Sequence, residues 1–178
     1  FRDSIAHSCD VVFYSLGDKM GITNLARYSR GAGLGSVTGI DLPGEDPGLI
    51  PDPAWKEEVW GEPWYGGDTI NSSIGQGFIL TTPLQMARVI AAVANSGVLT
   101  KPRLVDRAVD WRGRHAWQNG KVVDGKLEPS VENLEVVRQG MRGAVTHGTS
   151  TVVNSPSVKV AGKTGTVESF PNPYNPKG

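Results

Sequence analysis

The sequence lacks several features that would assign a chain to a common class of protein. It has one cysteine, Cys9, in 178 residues, which excludes a disulfide framework and any zinc site built from several cysteines. Its 18 basic and 18 acidic residues cancel, whereas a nucleic-acid-binding domain normally carries a basic excess, so we expect no nucleic-acid partner. No apolar run reaches the roughly 18 residues that a membrane-spanning helix needs, and no signal-peptide pattern begins at Phe1.

Glycine and proline, in contrast, are abundant. The 23 glycines and 12 prolines require that a good share of the chain be turn and loop. A hydrophobic fraction of 38% is still enough to fill the core of one ordinary domain. The chain opens directly in helical-looking sequence and has no initiating methionine. We therefore expect the natural protein to extend upstream of Phe1.

Apolar periodicity predicts helices in the first half of the chain. The first helix ends near Gly21 and has one apolar face with spacings of three and four, formed by Ile5, Cys9, Val12, Phe13, Leu16 and Met20. A short helix follows over residues 24–30. A third helix begins with Thr82 and Gln85 as a capping box, ends at Gly97 and is apolar on most sides. We expect this third helix to be buried.

The other segments predict loops, strands and a fourth helix. Residues 31–68 predict a long ordered loop, and we expect its aromatic side chains to pack on the protein rather than to line a substrate groove. Residues 98–127 predict small strands and hairpins, with turn signals at Asn119-Gly120 and Asp124-Gly125. A helix over residues 130–148 precedes a strand over residues 157–166, and residues 170–178 form a tail without a core pattern. This order predicts an α+β fold.

Two short motifs carry candidate chemistry. Ser8–Asp10 reads Ser-Cys-Asp within the first predicted helix, and Lys163–Thr166 reads Lys-Thr-Gly-Thr at the end of the predicted strand. Serine acyl-transfer enzymes that recognise penicillin combine a Ser-x-x-Lys nucleophile, a Ser-x-Asn type of element and Lys-Thr-Gly. The order of the two motifs, and the 155 positions between Ser8 and Lys163, fit that arrangement.

Longer stretches resemble class B penicillin-binding proteins, in particular the elongation-type subgroup called penicillin-binding protein 2. The stretch from Ser8 reads Ser-Cys-Asp-Val-Val-Phe-Tyr, as in the family's second-motif helix. The stretch from Thr38 reads Thr-Gly-Ile-Asp-Leu-Pro-Gly-Glu, and the stretch from Gly67 reads Gly-Asp-Thr-Ile-Asn-Ser-Ser-Ile-Gly-Gln-Gly. The stretch from Val160 reads Val-Ala-Gly-Lys-Thr-Gly-Thr. The resemblance covers nearly the whole chain, and these strings are more specific than any three-residue motif.

The resemblance implies a fold and a function. The fold is an α+β transpeptidase-type sandwich with helices on both faces of an antiparallel sheet, and residues 1–178 would form part of that domain. The function is peptidoglycan D,D-transpeptidation on D-Ala-D-Ala stem peptides during elongation, without a cofactor and with inhibition by β-lactams. The catalytic domain would be extracytoplasmic, with a membrane anchor. Its partners would be a polymerising glycosyltransferase and elongation-complex proteins.

The resemblance also implies roles for the first motif. Ser8 would lie against the lysine of the nucleophile element and relay a proton to the leaving amine. Asp10 replaces the more usual asparagine and would hold that lysine or the substrate backbone. No Ser-x-x-Lys occurs in the sequence, so the nucleophile would lie upstream of Phe1, and the final strands of the sheet would follow Gly178. We therefore expect that this chain alone neither folds stably nor becomes acylated.

For the second motif, the resemblance implies contacts with the substrate. Lys163 would supply positive charge for the terminal carboxylate, with help from the hydroxyls of Thr164 and Thr166. Gly165 would leave space for the substrate backbone. The backbone N–H of Thr166 would donate to the oxyanion.

Two other functions remain open at this point. A β-lactamase on the same fold would turn penicillin over rapidly, although the long class B strings argue against it. A catalytically dead scaffold would have its nucleophilic serine or lysine replaced in the upstream segment. A β-lactam sensor would acylate and then signal, but this chain shows no attached signalling domain.

Several other residues have plainer interpretations. His7 with Asp3 and Asp10 suggests zinc, but neighbouring residues on a helix do not converge on one point, so we expect no metal site from this chain. Cys9 is expected to be a buried free cysteine. Gly75–Gly77 lacks the lysine and the preceding strand of a phosphate loop, and we expect it to form a tight turn.

Overall fold

The computed structural model describes residues 1–166. Within them, α-helices are formed by α1 (Arg2–Ala6), α2 (Asp10–Gly31), α3 (Pro53–Trp60), α4 (Gly66–Ser73), α5 (Pro83–Ala94) and α6 (Val131–Thr146). Short strands are formed by β1 (Val98–Thr100), β2 (Arg107–Val109), β3 (His115–Gln118) and β4 (Val123–Lys126). None of the helices in this part of the chain combines the length and the apolar character needed to cross a bilayer. The predicted tail over residues 170–178 lies outside the described residues.

The predicted capping box at the start of α5 is confirmed. The Gln85 amide donates to Thr82 Oγ1 at 3.2 Å, and Gln85 Oε1 accepts from the Thr82 amide at 2.9 Å. Gln85 is 1% exposed, and its Nε2 also donates to the carbonyls of Ser36 and Pro47, each at 2.8 Å. One side chain therefore both caps α5 and ties the preceding loop to it.

The expectation that α5 is buried holds for one side only. Ala92 and Val93 belong to the core, whereas Met86 and Ile90 are 42% and 41% exposed. This helix packs on α6 and β1. The prediction that α5 is buried, which rested on its apolar residues on most sides, is therefore correct for one face only.

Glycine and capping signals define two further helix boundaries. Gly21 has φ +73° and ψ 158°, which breaks α2 where the sequence predicted the first helix to end. The sequence interpretation of residues 31–68 as loop is wrong at α3. Asp52 Oδ1 accepts from the Trp55 amide at 2.9 Å, Pro53 takes the first helical position, and Gly61 ends α3 in the left-handed conformation.

The strands confirm the hairpin prediction but not the late strand. β1 pairs with β4 and β2 pairs with β3, both antiparallel, although the predicted turn at Asp124-Gly125 lies inside β4. Residues 157–166 form no strand, because their backbone bonds with α6 instead of with a neighbouring strand. The Gly162 amide donates to the Met141 carbonyl at 3.1 Å, and Arg142 donates to the Val160 carbonyl at 2.6 Å.

The α+β class is confirmed, with helices forming most of the core. A central antiparallel sheet is not present among residues 1–166, where the strands form two separate pairs. The core gathers side chains from α1, α5, α6 and the segments around β1 and β4, namely Ile5, Ala92, Val93, Leu99, Leu127, Leu134 and Met141. The helix pairs α1–α6 and α2–α4 make the most extensive helix contacts.

Glycine allows α1 to lie unusually close to the C-terminal end of α6. A Cβ on Gly140 would lie 2.8 Å from Ile5 Cβ, and a Cβ on Gly148 would lie 2.1 Å from the Ala6 carbonyl oxygen. The first neighbour is a side chain, but the second is backbone and cannot rotate away. The contact between α1 and the end of α6 therefore depends on the absence of a side chain at Gly148.

Replacing Gly148 by alanine should separate α1 from α6. We expect Gly148→Ala to lower the free energy of unfolding of the full-length protein by about 2 kcal/mol or more, because backbone must move to accept the methyl group. Chemical denaturation measures this change. Gly66→Ala is the matched control, since a Cβ there meets nothing within 4 Å. Equal stability of the two variants would contradict the close contact.

Candidate functional site

Ser8 lies in a turn between α1 and α2, not within a helix. Its φ is +54°, which is uncommon for a residue other than glycine. The Ser8 amide donates to the Ile5 carbonyl at 3.3 Å and the Cys9 amide to the Ser4 carbonyl at 2.9 Å, which ends α1. The prediction of one continuous helix through Ser8 is therefore wrong, because apolar spacing alone does not detect a one-residue reversal. Cys9 is the half-buried residue just before α2, not a buried residue on a helix face.

Lys163 reaches this turn from the other end of the chain. Its Nζ donates to Ser8 Oγ at 2.7 Å, to the Thr164 carbonyl at 3.0 Å and to Thr164 Oγ1 at 3.3 Å. An ammonium group has three N–H donors, so these contacts use all of them. Ser8 is half-buried and Lys163 is exposed. The two predicted motifs thus meet at one point on the surface.

Thr149 joins the same group of side chains, although the sequence analysis did not identify it. Its Oγ1 lies 3.1 Å from Thr164 Oγ1 and 3.4 Å from the Ala6 carbonyl oxygen, and its amide donates to that carbonyl at 3.1 Å. Thr149 comes three residues after the end of α6, so this helix carries it to the end of α1. A threonine after a helix-ending glycine gives no sequence signal of this contact.

Asp10 is not joined to Lys163. It is the first residue of α2 and is exposed, and its carboxylate makes no hydrogen bond or ion pair with residues 1–166. The rings of His7 and His147 lie near the site with their centroids 5.8 Å apart. In the described part of the chain, no three His, Cys, Asp or Glu side chains converge as they would to bind a metal ion.

Gly165 and Thr166 continue the exposed edge beyond Lys163. A Cβ on Gly165 would meet nothing within 4 Å, and the backbone there is not left-handed. Neither packing nor backbone conformation among residues 1–166 therefore requires glycine at this position. The Thr166 carbonyl accepts from Gln76 Nε2 at 3.0 Å, a contact that the sequence analysis also missed.

The loop that carries Gln76 rests on an aromatic cluster. The rings of Trp55 and Trp60 lie 5.3 Å and 5.4 Å from the ring of Phe78. Trp64 Nε1 donates to Thr69 Oγ1 at 2.8 Å. The expectation that these tryptophans pack on the protein is confirmed, although Trp60 keeps more than half of its surface exposed.

A buried ion pair lies beneath this cluster. Lys56 is 3% exposed, and its Nζ donates to Asp68 Oδ2 at 2.7 Å. Burial acts to raise the pKa of Asp68, but the hydrogen bonds from Lys56 and from the Tyr65 amide outweigh it and lower that pKa. The hydrogen bond with Asp68 raises the pKa of Lys56. Both groups therefore stay charged at neutral pH.

A cavity lies apart from these residues. It has a volume of about 130 Å³ and is lined by Asp41, Lys101, Pro102, Arg103, Asn119, Gly120 and Val122. Its lining includes none of Ser8, Lys163 and Thr166. Among residues 1–166, Ser8 is half-buried, and Asp10 and Lys163–Thr166 are exposed.

The chain belongs to the family described as the penicillin-binding protein transpeptidase domain, which matches residues 1–177. The contact between Ser8 and Lys163 joins the two short motifs on which the sequence analysis based its resemblance to this family.

Individual relatives agree with this assignment. The chain is 37% identical over 167 residues to peptidoglycan D,D-transpeptidase MrdA of Acinetobacter baumannii. This match covers 93% of the chain and 24% of the relative. The penicillin-binding protein PBP2 of Helicobacter pylori, solved in complex with MreC, is similar with TM-score 0.80 and 31% identity over 94% of this chain and 30% of that one. PBP3 of Mycobacterium tuberculosis, solved in complex with ampicillin, is similar with a TM-score of 0.79 and 30% sequence identity. That match covers 97% of this chain and 37% of the PBP3 chain. The chain thus spans about a quarter of its MrdA relative's length.

The ion pair between Lys56 and Asp68 predicts a stability difference that depends on pH. Because the folded-state pKa of Asp68 is lowered, its contribution is present above the ordinary aspartate pKa of about 3.9 and is lost as the pH falls through the lowered value. Asp68→Asn should therefore destabilise the full-length protein at about pH 7 and much less at about pH 3.

Urea unfolding of both proteins at the two pH values measures this difference. Glu62→Gln is the control, because Glu62 is exposed, lies 3.7 Å from Lys56 and should contribute little. A destabilisation by Asp68→Asn that is equal at both pH values would contradict the charge-based explanation.

Proposed function

We propose that the protein containing this chain is a peptidoglycan D,D-transpeptidase, which cross-links D-Ala-D-Ala stem peptides through a serine ester during cell-wall elongation. The observation that carries this proposal is the 2.7 Å hydrogen bond from Lys163 Nζ to Ser8 Oγ in a member of the transpeptidase family. Residues 1–178 are proposed to form part of the transpeptidase domain. The rest of the domain, including the nucleophilic serine, is proposed to lie outside them.

The first step is acyl transfer to that serine. Its hydroxyl oxygen attacks the carbonyl carbon of the penultimate D-Ala, and the bond to the last D-Ala breaks. The serine proton passes to the leaving amine. Ser8 is suited to relay it, because Lys163 already donates to Ser8 Oγ and leaves the Ser8 O–H free to donate. The amine of a second stem peptide then attacks the ester, which releases the serine and forms the cross-link.

The exposed edge from Lys163 to Thr166 is the proposed substrate contact. Lys163 supplies positive charge for the terminal carboxylate, and the hydroxyls of Thr164 and Thr166 assist it. The empty space beside Gly165 supports a substrate backbone lying there. The Thr166 N–H is the proposed oxyanion donor, a type of contact that typically contributes about 3 kcal/mol to transition-state stabilisation.

Asp10 is proposed to act on a group that is absent from residues 1–166. Its exposed carboxylate at the start of α2 is free to bind the lysine of the nucleophile element or the substrate backbone. A carboxylate at this end of a helix is also favoured by the helix dipole. The proposal therefore gives Asp10 a positioning role and keeps proton transfer for Ser8.

Two alternatives are less favoured. A β-lactamase would share the fold, and a dead scaffold or β-lactam sensor would share the motifs. The relatives that cover most of this chain are described as transpeptidases and penicillin-binding proteins, which favours cross-linking. The Mycobacterium tuberculosis neighbour binds ampicillin, which supports β-lactam inhibition of the proposed enzyme.

The proposed partners and location follow from the same function. Because the Helicobacter pylori neighbour is found in complex with MreC, we propose that the whole protein joins an elongation complex of that kind. A polymerising glycosyltransferase is the proposed second partner, since cross-linking acts on newly polymerised strands. The substrate lies in the cell wall, so the catalytic domain is proposed to be extracytoplasmic and held at the membrane by an anchor.

Penicillin should add the mass of one drug molecule to the full-length protein, on a serine outside residues 1–178, and this adduct should persist. Ser8→Ala and Lys163→Met should each slow formation of the adduct by about 100-fold. Ser8→Ala removes the proton relay, and Lys163→Met removes the positive charge that holds Ser8 and the substrate. Time-resolved intact-mass spectrometry measures the adduct. Ser15→Ala is the control, because within residues 1–166 that exposed hydroxyl bonds only to the Val11 carbonyl.

The other outcomes distinguish the alternatives. An adduct that disappears while drug is consumed would identify a β-lactamase, and a full-length protein without any adduct would identify a non-catalytic relative. Residues 1–178 alone should give no adduct and no stable fold. A stable, penicillin-reactive product of that length would contradict the proposed position of the nucleophile.

Thr149 should affect acylation through Thr164. Thr149→Val keeps the side-chain size but removes the hydrogen bond to Thr164 Oγ1, and it should slow acylation by about fivefold. Thr149→Ser keeps the hydroxyl and should restore the rate. Adduct formation by both variants, alongside their thermal unfolding, measures this effect. A slow serine variant would show that the methyl group, not the hydrogen bond, matters.

A further inference from the structure

The loop after α4 holds one side chain, Gln76, in a defined position. Gly75 and Gly77 have φ of +80° and +75°, so the chain reverses on both sides of this residue. The Gln76 amide donates to the Asn71 carbonyl at 3.0 Å, and the Gly75 amide donates to the Ser72 carbonyl at 3.1 Å. The predicted tight turn is therefore observed, and it is bonded directly to the last turn of α4.

This loop is attached through α4 to α2, the helix that follows Ser8. α4 packs on α2 so closely that a Cβ on Gly17 would lie 2.3 Å from Ser73 Cβ. On the opposite side, the ring of Phe78 packs on Trp55 and Trp60. The loop is thus held from both sides, and Gln76 has a defined position relative to α2.

From this position Gln76 reaches the segment Lys163–Thr166. Its Nε2 donates to the Thr166 carbonyl oxygen at 3.0 Å. At the other end of the segment, Lys163 and Thr164 bond to Ser8 and Thr149. The segment is therefore held at two points, one on each side of Gly165.

We propose that Gln76 is a positioning residue that fixes the Thr166 peptide for acyl transfer. The inference rests on the proposed function, in which the Thr166 N–H donates to the oxyanion. The Thr166 carbonyl belongs to the peptide plane after Thr166, and the Thr166 N–H belongs to the plane before it. Because the segment is also bonded at Lys163 and Thr164, holding the carbonyl restricts the two torsions between these planes and so limits the direction of the N–H. A carbonyl oxygen has two lone pairs, so the Gln76 bond leaves one acceptor site for a backbone N–H of the substrate. Gln76 itself does not touch the reacting atoms.

The test compares variants of the full-length protein that keep or remove the donor. Gln76→Met and Gln76→Glu keep the approximate size but remove the N–H, and they should lower the first-order acylation constant by about tenfold. The dissociation constant of the initial penicillin complex should change less than about twofold, because the reacting geometry is affected more than the initial encounter. Gln76→Lys keeps an N–H donor on an unbranched stem and should recover most of the rate.

Two further measurements separate positioning from loss of structure. Gln139→Met is the matched control and should react like the wild type. In the described part of the chain, the exposed Gln139 carboxamide bonds only to Glu135. Hydrogen exchange of a peptide spanning residues 163–166 should be faster in Gln76→Met, while the thermal unfolding temperature stays near that of the wild type.

The outcomes for Gln76 and for the proposed function differ. If the wild type is acylated and both donor-free variants react within about twofold of it, the positioning role is wrong and the proposed function stands. If Gln76→Lys is as slow as Gln76→Met, the bond to Thr166 is not what matters and the inference also fails. A wild type that forms no adduct contradicts the proposed function, and this role with it.

Discussion

Helix α6 is the common support on which both motif-bearing segments depend. At its C-terminal end, Gly148 lets the backbone of α1 approach so closely that the Thr149 amide donates to the Ala6 carbonyl at 3.1 Å, two residues before Ser8. About two turns earlier, the Met141 carbonyl accepts from the Gly162 amide at 3.1 Å, next to Lys163. The short contact between Lys163 and Ser8 follows from these two attachments. A shift of either segment along α6 would separate groups that are 155 positions apart in sequence.

A second support acts through the α2–α4 pair. The close contact between Gly17 and Ser73 fixes α4, and the turn after α4 presents Gln76 to Thr166. The edge of the proposed substrate site is thus held by α6 on one side and by α4 on the other. Residues outside the proposed site contribute here, since Lys56, Asp68 and the aromatic cluster support the loop that carries Gln76.

Local signals predicted much of the fold, whereas long-range contacts were not predictable from one sequence. The capping box of Thr82 and Gln85 and the break at Gly21 depend on neighbouring residues, and both are observed. The turn at Ser8 is local but gives no signal in the apolar spacing. The coil over residues 157–166 and the contacts of Thr149 and Gln76 involve segments that are distant in sequence. The motifs themselves were recognised because their order and spacing resemble a family. The resemblance implied that Ser8 and Asp10 act on the lysine of the nucleophile element and that Lys163 binds the substrate, so the direct bond between Lys163 and Ser8 was not predicted.

The central claim is that Ser8, Lys163 and Thr166 surround one acylated serine. A crystal structure of the full-length protein after reaction with a penicillin tests it most directly. The account predicts that Ser8 Oγ lies within about 3.5 Å of Lys163 Nζ and beside the acylated serine, with the ester carbonyl oxygen accepting from the Thr166 N–H. An acylated serine remote from Ser8 and Lys163, or an ester oxygen bound by other donors, would contradict it.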